Sequence, residues 1–165
     1  MRVLIQRVTE ASVSVDGQVI GAIGRGLLLF VGIGAHDAEP QIVQMAEKVI
    51  NLRIFEDAEG RMNRSALDLR ADDPNLVGML VVSQFTLYGD VARGRRPSFV
   101  MAAAPARAAP LIEKLASALA DAGFRTERGV FGADMAVRLV NDGPVTIWID
   151  SDDLRKSGRD NAGSE

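Results

Sequence analysis

The chain has 165 residues, of which 47% are apolar and 25% charged, and a formal net charge of -3. This is ordinary globular composition, long enough to bury one core without staples. Cysteine is absent and there is one histidine. That excludes disulfides, thiolate metal sites and a cysteine nucleophile, and argues against a multi-histidine metal centre. The slightly acidic balance argues against a protein that coats nucleic acid, but leaves room for a local RNA-binding patch.

Residues 2–8, RVLIQRV, carry an apolar strand signal. Ala11 to Val15 alternates with period two, the mark of a half-buried strand. Asp16-Gly17 predicts a hairpin turn, Val19 to Ile23 a return strand, and Gly24-Arg25-Gly26 a second turn. Gly26 to Ile33 is a continuous apolar run, short enough for a buried strand. The N-terminus lacks the long apolar stretch of a secretory signal, and the run around LLLFVGIGA is too short to span a bilayer. The default expectation is a cytoplasmic protein.

The period then changes. Ile42, Met45, Ala46, Val49 and Ile50 fall at helical spacing within Glu39 to Leu52, with Asp37 a candidate cap. Phe55 to Gly60 reads as a strand end and turn, and Ser65 to Leu69 fits either helix or strand. Val77 to Val82 is a further apolar run that ends in Ser83-Gln84-Phe85-Thr86-Leu87. Gly89 to Pro97 is a polar, arginine-rich loop. Pro105 to Ala122 is the clearest helix, stopped by Gly123. Phe124 to Val130 suggests a short strand and turn. Two apolar runs, Met135 to Val140 and Val145 to Ile149, flank Asn141-Asp142-Gly143-Pro144, which reads as a hairpin turn. Residues 151–165 are polar and aperiodic, so a disordered tail is expected beyond a single domain of residues 1–150. The pattern predicts an α+β fold: a compact, mostly antiparallel, barrel-like sheet with two principal helices.

Each candidate for chemistry has an ordinary alternative. Ser83, Gln84, Phe85 and Thr86 are either a strand end tied to backbone or the polar lip of a pocket, because buried hydroxyls and amides need partners. Arg93, Arg95 and Arg96 form either a solvated face or a phosphate clamp, since the guanidinium fork matches phosphate oxygens. Gly143-Pro144 is either a plain turn or a stiff tip, for which a cis bond is accessible. His36 reads as a surface loop residue. Gly32-Ile33-Gly34 lacks the third glycine of a dinucleotide fingerprint. Asp72-Asp73 and Asp152-Asp153 lack calcium-site spacing. The methionines read as core filler.

Taken in order, the motifs are specific. The opening MRVLIQRVTEASVSVDG, Arg53 to Asn63, Ser83 to Thr86, Gly94 to Phe99, Phe131 to Met135 and Asn141 to Thr146 together resemble the D-aminoacyl-tRNA deacylases. The resemblance runs from Met1 to about Asp150. It implies a homodimer whose active site lies at the subunit interface and which acts on the 3' acceptor end of aminoacyl-tRNA. It implies no metal, no organic cofactor and no membrane. Ser83, Gln84, Phe85 and Thr86 would line the catalytic pocket. Gly143 and Pro144, in the cis form, would reach into the partner's site and reject L-amino acids by collision, which needs no fitted side-chain pocket. Glycine, with no side chain to collide, would be accepted, including glycine mischarged on tRNA-Ala.

By the same match Phe131 would sit near the terminal adenine, Arg7 would brace the Gly-Pro tip, and Arg95 and Arg96 would support substrate binding. Thr86 has no evident base, and an unactivated hydroxyl is a poor nucleophile. The ribose 2'-OH is then expected to help activate water. The alanine-rich stretch from Met101 to Ala109 departs from the more polar family pattern and would alter nucleotide affinity if it borders the pocket. The competing readings are a dimer that binds tRNA ends or nucleotides without turnover, and a Ser/Thr esterase unrelated to RNA. The second lacks both a histidine base near a nucleophile and a G-x-S-x-G elbow.

Overall fold

The computed structural model describes residues 1–157. Its strands are β1 (Arg2–Val15), β2 (Gln18–Ile23), β3 (Gly26–Gly32), β4 (Phe55–Glu56), β5 (Met62–Arg64), β6 (Gly78–Ser83), β7 (Arg125–Arg128) and β8 (Ala136–Asp150). Its helices are α1 (Glu39–Asn51), α2 (Ala66–Asp72), α3 (Pro105–Asp121) and α4 (Ser151–Ser157), with a 3-10 turn at Phe85–Tyr88. β4 and β5 form a small hairpin, and the remaining strands make one sheet in the order β2-β1-β3-β6-β7, with β8 on the other edge of β1.

β1 organises this sheet. Its first half pairs with β3 and its second half with β2, while β8 runs along the whole of its opposite side. The long strand therefore bends, and β2 comes round towards β7, where Arg125 donates to the carbonyl of Ala22. The result is a nearly closed barrel, which removes most of the exposed strand edge.

The continuous apolar run of β3 is explained by burial on both faces. Leu27, Leu29 and Val31 face α1 and α3 along with Met45, Val49, Leu115 and Leu119. Leu28 joins Val8, Val13, Leu80 and Val82 in a second cluster on the barrel side. The expected α+β class and barrel-like sheet are what the chain adopts. β3–β6 and β6–β7 are nonetheless parallel. The helix-bearing connections between them make parallel pairing possible, and strand periodicity carries no information about direction.

Three local expectations are corrected, and one reading left open is settled. Asn141 to Pro144 is not a turn between two hairpin strands, because β8 is one strand that pairs with β1 on both sides of it. Asp37 does not cap α1. Ala38 is the N-cap, and Gln41 accepts from its N–H at 2.8 Å. Asp37 instead accepts from the N-terminal ammonium at 2.6 Å and from the N–H of Gly34 at 2.6 Å, a better use for a carboxylate that is 6% exposed. The ambiguous Ser65 to Leu69 is the start of α2, where Ser65 and Asp68 cap each other reciprocally. Finally, Ser151–Ser157, expected to be disordered, form α4. Ser151 is fully buried, and its hydroxyl also accepts from the N-terminal ammonium, at 2.7 Å. The remainder of the expected disordered tail, residues 158–165, lies outside the described residues.

Candidate active site

The adjacent ends of β3 and β6 build one wall of a cavity of about 570 Å³. The ladder between them continues one residue past β6, where the N–H of Gln84 donates to Val31 at 2.7 Å. The chain then tightens into the 3-10 turn, closed by Leu87 N–H to Gln84 O and Gly89 N–H to Thr86 O. Arg2 pins the far side of this turn. It donates to the carbonyl of Leu87 at 3.0 Å, lies 4.4 Å from the Tyr88 ring centre and pairs with Asp150 at 2.9 Å. Burial alone would raise the Asp150 carboxyl. The N–H of Asp152 and the Arg2 guanidinium outweigh it and hold that carboxyl below its ordinary range. Burial, then the Asp37 and Asp150 carboxylates, push the Tyr88 phenol well above its own, so it stays a neutral donor to Asp37.

Ser83, Gln84 and Phe85 line the cavity. Thr86 follows directly, and its hydroxyl accepts from the Gln84 side-chain amide. Phe131, Asp134 and Met135 line it as well. Ala102, Ala103, Pro105 and Ala108 add apolar surface to its wall. The alanine-rich departure noted in the sequence therefore does border the cavity. Among the described residues of the cavity wall, Asp134 is the one with an ionisable side chain.

Arg7, Gly143 and Pro144 form a separate cluster outside that wall. Gln6 pairs with Thr146 and Val8 with Asn141. Between these pairs β1 has Arg7 alone, while β8 has Asp142, Gly143, Pro144 and Val145. The extra residues leave the ladder as a bulge, which is why a proline without an N–H is tolerated here. The neck is tied by side chains. Asn141 Oδ1 accepts from Val145 N–H at 2.8 Å, and Asn141 Nδ2 donates to Thr146 Oγ1 at 2.9 Å. Arg7, 3% exposed, supports the bulge from beneath. Its Nε donates to Asp142 O at 3.1 Å, its Nη1 donates to Ile54 O at 2.6 Å, and its charge faces Asp142 at 3.2 Å and Glu56 at 3.8 Å. Gly143 has φ of +127°, and a Cβ there would lie 3.0 Å from Arg7 Nη2. The Gly143-Pro144 bond is cis, and both residues are exposed.

A family model described as D-Tyr-tRNA(Tyr) deacylase matches residues 4–150. The chain belongs to this family. A D-aminoacyl-tRNA deacylase of Roseiflexus castenholzii is 59% identical over 151 residues, covering 92% of each chain. One of Thermomicrobium roseum is 54% identical, covering 97% of this chain and all of its relative. Among solved structures, one described as a c-Myc DNA unwinding element binding protein superposes with a TM-score of 0.82. It is 38% identical and covers 91% of this chain and 98% of its own. A probable eukaryotic D-amino acid tRNA deacylase shares the fold, with a TM-score of 0.76 at 18% identity over 90% of this chain and 98% of its own.

Set against this deacylase family, the predicted site residues fall into three places. Ser83, Gln84, Phe85 and Phe131 share one cavity, with Thr86 beside it. Arg7, Gly143 and Pro144 share the bulge. Arg95 and Arg96 stand on the exposed loop after the 3-10 turn. Phe99 and Asp134 also line the cavity. Both sit inside matched motifs, but nothing in their residue type or spacing marks them out individually. Among the described residues, no group of three or more His, Cys, Asp or Glu side chains is placed to hold a metal, and no helix is long and apolar enough to cross a membrane.

Proposed function

We propose that the chain hydrolyses the ester joining a D-amino acid to the terminal ribose of tRNA, and likewise glycine mischarged on tRNA-Ala, and that it works in the cytoplasm as a homodimer. The observation that carries this reading is the division of the motif residues into a cavity and an exposed, braced tip that is not part of that cavity's wall. Such a tip fits service to the cavity of a second copy. Symmetric, self-complementary contacts of this kind are the usual form of a homodimer.

In this reading the aminoacyl end enters beside Ser83 to Thr86. The backbone N–H groups of Phe85 and Thr86, at the start of the 3-10 turn, polarise the ester carbonyl. Water, activated with help from the ribose 2'-OH, adds to the carbonyl carbon. The bond to the ribose oxygen breaks, that oxygen takes a proton, and the free amino acid and tRNA leave. Thr86 orients rather than attacks, which agrees with a hydroxyl already engaged by Gln84. Phe131 packs near the terminal adenine, and Arg95 and Arg96 meet backbone phosphates. Gly143 and Pro144 of the second copy stand on the side where an L side chain would project. A D side chain points away, and glycine has none, so one rigid tip rejects every L-residue without choosing among D-residues.

The 38% identical protein described as a DNA unwinding element binding protein supports a second reading, a nucleic-acid binder without turnover. Incubating purified protein with D-Tyr-tRNA and Gly-tRNA-Ala, in the presence of a chelator, separates the two. The enzyme reading expects rapid release of both amino acids. Retained binding to tRNA with no ester loss above the uncatalysed rate would establish the second reading.

A further inference from the structure

Phe99 is where the arginine-rich loop meets the catalytic turn. The neck of that loop is closed by a reciprocal backbone pair, Asp90 N–H to Ser98 O at 2.8 Å and Ser98 N–H to Asp90 O at 2.9 Å. Phe99 follows at once. The segment behind it is anchored to the end of β3, through Ala103 N–H to Ile33 O at 2.8 Å and Ala35 N–H to Met101 O at 3.1 Å. The Phe99 ring is half-buried and lines the cavity. It meets the Phe85 ring edge-on, with centres 5.0 Å apart and planes at 73°, a favoured aromatic geometry. Phe85 itself is 57% exposed, so it has little other packing to fix it. On its other side Phe99 lies against Gly89, the residue that closes the 3-10 turn. A Cβ on Gly89 would stand 3.2 Å from Phe99 Cε1 and 3.0 Å from Thr86 O.

We propose that Phe99 is a positioning residue for the ester-cleaving step. Its ring fixes Phe85, and through Phe85 and Gly89 the Phe85–Thr86 backbone, so that the N–H groups aimed at the ester carbonyl are held in place before substrate arrives. This rests on the deacylase reading above. It adds a division of labour: Phe99 acts on the chemical step, while the loop arginines act on binding.

The test uses the full-length protein with Phe99→Ala, Phe99→Leu, Phe99→Tyr, Gly89→Ala and Arg95→Ala, each checked for an unchanged Tm. For D-Tyr-tRNA, Phe99→Ala and Gly89→Ala are expected to lower kcat by roughly 10- to 100-fold with KM nearly unchanged, the scale on which small misplacements act. Phe99→Tyr keeps the ring and recovers kcat, and Phe99→Leu fills the space without a ring edge and does not. Arg95→Ala raises KM and spares kcat. A readout independent of turnover is hydrogen exchange at the Leu87 and Gly89 amides, whose bonds to Gln84 O and Thr86 O close the turn, and which should quicken by roughly tenfold or more in Phe99→Ala but not in Arg95→Ala. Absence of turnover in the unsubstituted protein would sink the deacylase reading, while the exchange measurement would still decide the positioning role. Wild-type kcat in Phe99→Leu, or unchanged exchange at both amides in Phe99→Ala, would overturn the proposal.

Discussion

Arg7→Lys is the most informative single perturbation, because it keeps the charge and removes only the fork. The guanidinium reaches two backbone carbonyls from two different nitrogens, Asp142 O from Nε and Ile54 O from Nη1. A lysine ammonium is a single nitrogen and cannot stand in both places. With the residue 3% exposed, water does not replace the lost bond. A hydrogen bond to a charged group contributes about 1.5–3 kcal/mol, so losing one of the two costs about that much. For a chain of this size that lowers Tm by about 3–12 °C. The functional effect is separate. The bulge loses its support from beneath, so the tip wanders and the preference for D over L esters falls even where the protein is fully folded. Thermal unfolding together with initial rates of D-Tyr-tRNA and L-Tyr-tRNA hydrolysis reads both effects. A variant whose Tm and D-to-L ratio both match the parent would refute the bracing role of Arg7.

Two further outcomes follow from the same geometry. Gly143→Ala places a side chain at φ of +127° with its Cβ 2.9 Å from Val145 Cγ2 and 3.0 Å from Arg7 Nη2. Such backbone strain costs about 1–3 kcal/mol, and the displaced tip is expected to reduce the D-to-L rate ratio by roughly tenfold or more, since misplacements near 1 Å act on that scale. Competition between the two esters in one tube reads this directly. Asp68 gives a pH dependence. The N–H and then the hydroxyl of Ser65 hold its carboxyl below the ordinary aspartate range. Its folded-state pKa therefore lies below the unfolded one, so its contribution is complete above the unfolded pKa and is lost as pH falls through the folded one. Asp68→Asn should be less stable than the parent at neutral pH, with the gap closing in acid. Urea unfolding at both pH values checks this, and a gap that widens in acid would contradict it.

Much of this architecture is legible in the residues. The alternation of Ala11 to Val15 and the helical spacing of Ile42, Met45 and Val49 each reflect one buried face, and a buried face is a local property of sequence. Asn141-Asp142-Gly143-Pro144 shows where local reading stops. The turn chemistry is real, since the chain does leave the ladder there, yet β8 rejoins the same neighbour and stays one strand. Only the pairing of Val8 with Asn141 and Gln6 with Thr146 reveals this, and that pairing depends on residues far apart in the chain. Asp37 misleads for a similar reason. It stands at capping distance from α1, but the buried N-terminal ammonium is a stronger claimant on its carboxylate. Phe99 is silent in sequence because a phenylalanine after a polar loop is ordinary. Its place becomes visible once the loop folds back against Phe85.

The measurement that tests the account most directly is the ratio of initial hydrolysis rates for D-Tyr-tRNA and L-Tyr-tRNA made from the same tRNA and exposed to the same preparation. The account predicts rapid loss of the D ester while the L ester decays no faster than it does without protein. Loss of both esters at equal rates would contradict it, because Gly143-Pro144 would then not be rejecting L side chains.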